Sequence, residues 1–277
     1  MNKKIIKKFG LLLFPPVIIK AINYFRNQGV KFSGIYPTWE QAQADAKGYE
    51  ANEILNQIIA NTKLVESGKV AYERDGIVFD NLNYNFQLLA VLLRAATENG
   101  NTLRVLDFGG SLGSTYYQCR NFLQGIATLK WCVVEQSHFV KEGNKHFANE
   151  VLSFHETIAE VMINHQPNLV LFSSVLQYLS EPYLILNEVI KNGPNYIVID
   201  RNPFLQSGGT IISLQKVPKE IVESSYPIWL FNEKEFKDFF INKYSEIATF
   251  SALDGTIGQG RLKADFKGII YKKIEQR

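Results

Sequence analysis

The chain has few of the residues that build metal and redox sites. Its 277 residues include two cysteines, four histidines and two methionines. Cys119 and Cys132 have neither C-x-x-C spacing nor the density of a disulfide framework, which excludes a stapled scaffold and a dithiol redox pair. Both read as small buried apolar residues, and reduced thiols suit the cytoplasm. His138, His146, His155 and His165 show no H-x-x-x-H pairing, so no metal is expected. Surplus charge is lacking too. With 30 bases against 27 acids, bulk electrostatics give no reason to expect nucleic acid as a partner. Nor is there a long apolar run: residues 11–19 are interrupted by Pro15 and Pro16, are too short to cross a bilayer, and precede no small-x-small cleavage site.

What remains is the composition of a globular protein, 46% hydrophobic and 21% charged, with room for one α/β domain and additions. Seven bases precede the first acid, Glu40, so the positive charge belongs to the N-terminal tail. Within residues 1–31, Ile5, Phe9, Leu12 and Leu13 repeat at helical spacing with lysines opposite them. This basic amphipathic segment suits an anionic membrane surface, or docks on the domain or on a partner chain. Residues 32–100 read as a helical N-terminal cap. Residues 32–39 form an aromatic loop, a helix starts at Thr38 with Gln41 at the capping-box position, residues 72–76 form a turn, and residues 86–96 form an apolar helix. Residues 101–277 form the core, with an insertion at 205–231 that reads as a lid or binding loop.

The core is organised around residues 103–117, LRVLDFGG followed by SLGSTYY. A short apolar strand ends on Asp107. A tight turn follows with Gly109, Gly110, Ser111 and Gly113, then a helix that Ser114 or Thr115 can cap. Strand, glycine turn and helix start form a nucleotide cradle. The spacing G-G-S-L-G departs from the dinucleotide pattern G-x-G-x-x-G. Asp107 suits a cationic or N–H-bearing group instead, such as the amino-acid end of S-adenosylmethionine. The next strand, 131–134, closes on Glu135 and Gln136, and an acid at that tip binds ribose hydroxyls in nucleotide-binding α/β folds. Further strands are expected near 151–154, 168–173, 195–200, 244–250 and 265–273, and helices near 114–124, 137–149, 182–191 and 232–242. The alternation predicts a doubly wound parallel sheet, and the hairpin-sized link before the last strand predicts an antiparallel edge.

Ligands in such sheets sit outside the carboxyl ends of the strands. Glu156, Thr157 and Ile158 are therefore candidates for adenine contacts, with Ser173 and Val175 lining the cofactor further along. His155 and Asp200 are candidate general bases, both at strand tips. Arg201 either pairs with Asp200 or grips a polar acceptor. Gln177, Tyr178, Gln215, Tyr226 and Trp229 are candidate acceptor contacts; the two aromatics of the insertion either stack on a sugar or pack locally.

D-x-G-x-x-x-G preceded by V-L resembles motif I of class I S-adenosylmethionine-dependent methyltransferases, with Ser111 where that family often has glycine. S-S-V-L-Q-Y resembles their fourth motif, with Gln177 and Tyr178 where histidine is common and Asn168 where aspartate is common. Together with W-E-x-A-x-x-x-x-x-G-Y, V-V-E-Q, D-R-N-P-F and S-Y-P-x-W, residues 32–270 resemble a family of bacterial methyltransferases associated with O-antigen and capsular polysaccharide clusters. The resemblance implies a Rossmann-like seven-stranded α/β sheet with an antiparallel last strand, S-adenosyl-L-methionine as cofactor, and O-methylation of a glycan or nucleotide-sugar. It implies a cytoplasmic protein, peripheral on the inner membrane face if residues 1–31 bind lipid. Two readings stay beside it: a lipid or quinone precursor as acceptor, and a non-catalytic scaffold.

Overall fold

Runs such as Trp131–Val134 and Leu169–Phe172 lack polar alternation, as strands covered on both faces must. In the computed structural model they are the fully buried centre of a sheet. The structure describes residues 30–47, 51–74, 76–217 and 224–275. In chain order the elements are β1 (Lys31–Tyr36), α1 (Trp39–Asp45), α2 (Ala51–Glu66), β2 (Tyr72–Arg74), β3 (Ile77–Phe79), α3 (Phe86–Glu98), β4 (Thr102–Phe108), α4 (Ser114–Cys119), β5 (Thr128–Val134), α5 (Ser137–His146), β6 (Leu152–His155), α6 (Ile158–His165), β7 (Leu169–Ser173), α7 (Pro182–Asn192), β8 (Tyr196–Leu205), β9 (Ile211–Val217), β10 (Ser224–Leu230), α8 (Glu233–Asp238), β11 (Tyr244–Ile257) and β12 (Ala264–Lys273).

The main sheet has seven strands in the order β6-β5-β4-β7-β8-β12-β11. β6 through β8 are parallel, and β12 runs antiparallel to both its neighbours, β8 and β11. This is the doubly wound α/β sheet with an antiparallel last strand that the sequence predicts. The chain winds outward from β4 through β5 to β6, then crosses back to β7 and β8 on the other side. That reversal makes the carboxyl ends of β4 and β7 a topological switch point, the place where such sheets take ligands. Period-two alternation divides the core. Val105, Trp131, Phe154, Leu171 and Val198 face α2, α3, α4 and α5; Leu106, Cys132, Val170, Ile197 and Ile269 face α6, α7 and α8.

Several local expectations are corrected. Residues 32–36 are strand β1, not loop, because Phe32 anchors them in a second apolar cluster and they pair antiparallel with β9. The insertion is not a lid loop. β9 and β10 form an antiparallel hairpin in a three-stranded sheet of order β1-β9-β10, and Pro227 is tolerated because β10 is an edge strand. The turn at 72–76 belongs to hairpin β2–β3, with Gly76 at φ +77°. β8 runs on to Leu205, past the tip expected at Asp200. Helix α4 is capped by Gly113 in the left-handed region with no side-chain cap, and Ser114 bonds elsewhere. Helix α6 is an addition to the expected elements; Thr157 caps it and Ile158 and Val161 pack it on the sheet. Except for Val30 and Lys31, the amphipathic segment 1–31 lies outside the described residues. Among those residues no helix is long and apolar enough to cross a membrane.

Candidate functional site

Alternation along β4 puts Asp107 on the α3/α4 face, where it is 1% exposed. Its Oδ2 accepts the indole N–H of Trp131 at 3.0 Å, and its Oδ1 has no hydrogen-bond partner among the described residues. Burial pushes the carboxyl up to about 7; the indole N–H opposes this and the nearby negative Glu135 adds to it. Gly110 packs against that carboxyl, since a Cβ there would lie 2.6 Å from Oδ2. Gly109, at φ +72°, leaves no room for a Cβ beside Val175. Gly113 closes the turn at φ +91°. Ser111 adopts φ +54°, and its Oγ is buried without a partner among the described residues. The strand end and the turn thus hold two buried polar atoms, Asp107 Oδ1 and Ser111 Oγ, without partners among the described residues.

Glu135 follows β5 and is half-buried. Its Oε2 accepts the N–H of Gln136 at 2.9 Å, and the N–H of Ser111 also reaches the carboxylate, tying this strand tip to the glycine turn. Burial still raises its pKa against these donors. Gln136 itself is exposed. At the tip of β6, Glu156 is exposed, the Thr157 hydroxyl accepts the N–H of Glu160 at 3.2 Å, and Ile158 is 3% exposed beneath α6. His155 turns to the α6 face, with Nδ1 2.8 Å from Glu160 Oε1 and Nε2 2.9 Å from Ser153 Oγ.

Asp200, on β8, is buried on the same face as Asp107. Its Oδ2 accepts from Ser173 Oγ at 3.2 Å and its Oδ1 from Asn85 Nδ2 at 3.3 Å. Burial raises its pKa above 3.8, opposed by Arg201 and assisted by Asp254. Burial, then the negative charges of Asp107 and Asp200, push the Cys119 thiol up. The two candidate bases are not brought together. β6 and β8 are four strand steps apart, roughly 19 Å at about 4.8 Å per step.

The acceptor candidates are partly united. Tyr178 donates its hydroxyl to Gln215 Oε1 at 3.2 Å, Gln215 Nε2 donates to Tyr226 Oη at 3.1 Å, and the two tyrosine rings meet edge to face at 5.4 Å. Gln177 is fully buried; its Nε2 donates to Ser174 Oγ and the Arg201 carbonyl, and its Oε1 has no partner among the described residues. Trp229 donates to the Leu179 carbonyl at 2.9 Å and stacks on Trp39 at 6.0 Å. Arg201, at φ +56°, grips Asp254 on β11 with two bonds of 2.9 and 3.0 Å.

Three residues outside the sequence candidates complete the surroundings. Asn85 caps α3 with Oδ1 and reaches Asp200 with Nδ2, a role signalled only by its place before an apolar helix. Asn202 is 0% exposed with both amide atoms unpartnered among the described residues, and in sequence it merely follows the more conspicuous Asp200 and Arg201. Glu73, 2% exposed, accepts from Ser114 Oγ at 2.6 Å and from the Gly76 N–H at 2.7 Å, which docks hairpin β2–β3 on the glycine turn.

No protein-family model matches the chain, and no curated protein matches it. Solved structures do. An S-adenosylmethionine-dependent methyltransferase from Clostridium acetobutylicum is 9% identical with TM-score 0.42, covering 69% of this chain and 92% of its own. An amino pentose methyltransferase from Micromonospora echinaspora is 10% identical with TM-score 0.43, covering 69% and 92%. The 1,6-didemethyltoxoflavin-N1-methyltransferase of Burkholderia thailandensis is 12% identical with TM-score 0.44, covering 83% and 93%. At these identities and scores the functional reading rests on this chain's own residues.

Proposed function

We propose that the chain is a class I S-adenosylmethionine-dependent methyltransferase that O-methylates a sugar or related polar acceptor in surface polysaccharide biosynthesis. One observation carries the cofactor reading. At the switch point of the parallel sheet, a buried oxygen of Asp107 has no hydrogen-bond partner among the described residues beside a glycine turn, one strand away from Glu135. Asp107 Oδ1 and Ser111 Oγ fit the ammonium and carboxylate of an amino-acid group. Glu135 fits the hydroxyls of a ribose, and Gln136, Glu156, Thr157 and the backbone at Ile158 then border the base. Held this way, the ligand runs from the β6 side to β4, and its reactive end faces β7 and β8.

S-adenosylmethionine supplies, when bound, an already activated methyl group. The chain's task is then to hold an acceptor oxygen in line and to receive its proton. In this reading Asp200 is the base. It lies on the reactive side, and burial makes it more basic than a surface carboxylate. Ser173 and Asn85 hold the carboxyl in place. His155 lies on the base-ring side and turns toward α6, so it takes no part. The linked hydroxyls and amide of Tyr178, Gln215 and Tyr226 suit a polyhydroxylated acceptor. The polysaccharide context rests on the family resemblance of the sequence motifs.

Calorimetric titration with S-adenosylhomocysteine, run beside NAD⁺ and beside Asp107→Ala and Glu135→Ala, tests this reading. Micromolar binding of the homocysteine product, lost in both variants, is expected. No binding by folded wild type overturns the cofactor and leaves the scaffold reading.

A further inference from the structure

Away from the proposed methyl-transfer site, three ligand-type side chains from three elements converge beneath α6. Cys132 of β5, His155 of β6 and His165 of α6 each offer an atom within 4.8 Å of the other two. Three points that close together share a centre no more than about 2.8 Å from each (4.8 Å divided by √3), against about 2.0–2.1 Å for zinc–nitrogen and about 2.3 Å for zinc–sulfur bonds. Closing the set takes side-chain shifts of up to about 0.8 Å on that comparison. We propose that Cys132, His155 and His165 form a binding site for a thiophilic divalent cation of the zinc class.

The surroundings support the donor set. His155 Nδ1 bonds Glu160 at 2.8 Å, the carboxylate partner that metal-bound imidazoles commonly have. With Nδ1–H directed at Glu160, the lone pair of Nε2 points inward, where it now meets Ser153 Oγ at 2.9 Å. That hydroxyl lies 3.6 Å from Cys132 Sγ, so one polar contact already links two of the three ligands. The His165 ring stands edge to face with His155 at 5.0 Å. Val134, Ile158 and Val161 belong to the apolar cluster beside Cys132, while His165 is half-buried at the end of α6 and gives an entry path. One thiolate and two imidazoles select zinc, cobalt or copper over magnesium and calcium. On binding, the Cys132 S–H proton passes to solvent, both histidines bind neutral, and water fills the fourth position. The spacing 132, 155 and 165 resembles no zinc motif because each ligand sits on a different element.

Cobalt(II) titration of the full metal-free chain tests the site. A thiolate-to-cobalt charge-transfer band that zinc displaces and magnesium does not is expected in wild type. Its absence overturns the proposal. Cys132→Ser should abolish the band; persistence there would assign it to Cys119 and overturn the proposal equally. Glu160→Gln should weaken cobalt binding roughly 10- to 100-fold while leaving S-adenosylhomocysteine binding intact. Should the cysteine variant not fold, X-ray absorption of zinc-loaded wild type decides: one sulfur with at least two imidazoles supports the site, and a shell without sulfur rejects it. Failure here leaves the methyltransferase reading untouched.

Discussion

Replacing Asp107 with asparagine should stabilise the protein while weakening the proposed cofactor site. The native carboxyl is lifted from 3.8 to about 7 because it is buried. The unfolded chain therefore releases this proton at lower pH than the folded chain does. Between those two values the folded state holds the extra proton, so stability falls as pH rises from about 4 to about 7 and then levels off. At about 1.36 kcal/mol per pH unit, the cost is about 4 kcal/mol near pH 8 and about 1 kcal/mol near pH 4.5. Asparagine keeps the shape and an oxygen for the Trp131 N–H, but carries no charge to desolvate. Thermal unfolding should show Asp107→Asn melting roughly 8 °C above wild type near pH 8, at roughly 2 °C per kcal/mol for a chain this size, with a gain of roughly 2 °C near pH 4.5. The same variant should bind S-adenosylhomocysteine at least about 10-fold more weakly, a charge-assisted hydrogen bond having been lost. Equal gains at both pH values, or none near pH 8, would refute the desolvation argument. Undiminished binding would refute the role of the unpaired oxygen.

The remaining predictions concern the glycine turn and the acceptor side. Gly110→Ala forces a methyl group onto the Asp107 carboxyl, so cofactor binding should disappear in calorimetry and stability should fall by about 1–3 kcal/mol in denaturant unfolding. Ser173→Ala removes a hydrogen bond that favours ionised Asp200. The acidic limb of the kcat/KM profile should then move to higher pH, whereas an unchanged limb would mean that Asp200 is not the base. Tyr178→Phe keeps the ring and breaks the bond to Gln215, so acceptor KM should rise about 5- to 10-fold with S-adenosylhomocysteine affinity unchanged.

The central sheet was legible because parallel strands buried on both faces leave uninterrupted apolar runs, and the short link before β12 betrayed its reversed direction. The small sheet was not legible, and the reason is physical. β1 and β10 carry Gly34 and Pro227, which read as loop residues in isolation. The strand character of β1 comes from pairing with β9 across some 180 residues of chain, as in Phe32 with Gln215, and β10, which pairs with β9 as a hairpin, carries its proline on the free edge. Hairpin β2–β3 escaped for the same reason: its anchor is the buried carboxylate of Glu73 on Ser114, a contact with no local signature. The capping residue of α4 was misread because a serine beside a glycine turn fits a cap equally well until Gly113 takes the left-handed position.

The same distinction separates the two halves of the candidate site. A strand tip marks itself in sequence, because an acid after an apolar run is visible, and Asp107, Glu135 and Asp200 all stood out that way. Which face such a residue takes depends on register, and that decides the chemistry. Asp107 and Asp200 share the α3/α4 face by their parity on β4 and β8. His155 has the same appearance in the sequence, yet its parity on β6 turns it toward α6, beside Cys132 and His165. A single-residue slip of β6 would exchange those faces, placing His155 on the side of Asp107 and dispersing the metal-binding cluster. The register of Cys132 against Ser153, fixed by burial of Leu152 and Phe154 on the opposite face, therefore keeps the imidazole away from the face that carries the buried carboxyls of Asp107 and Asp200.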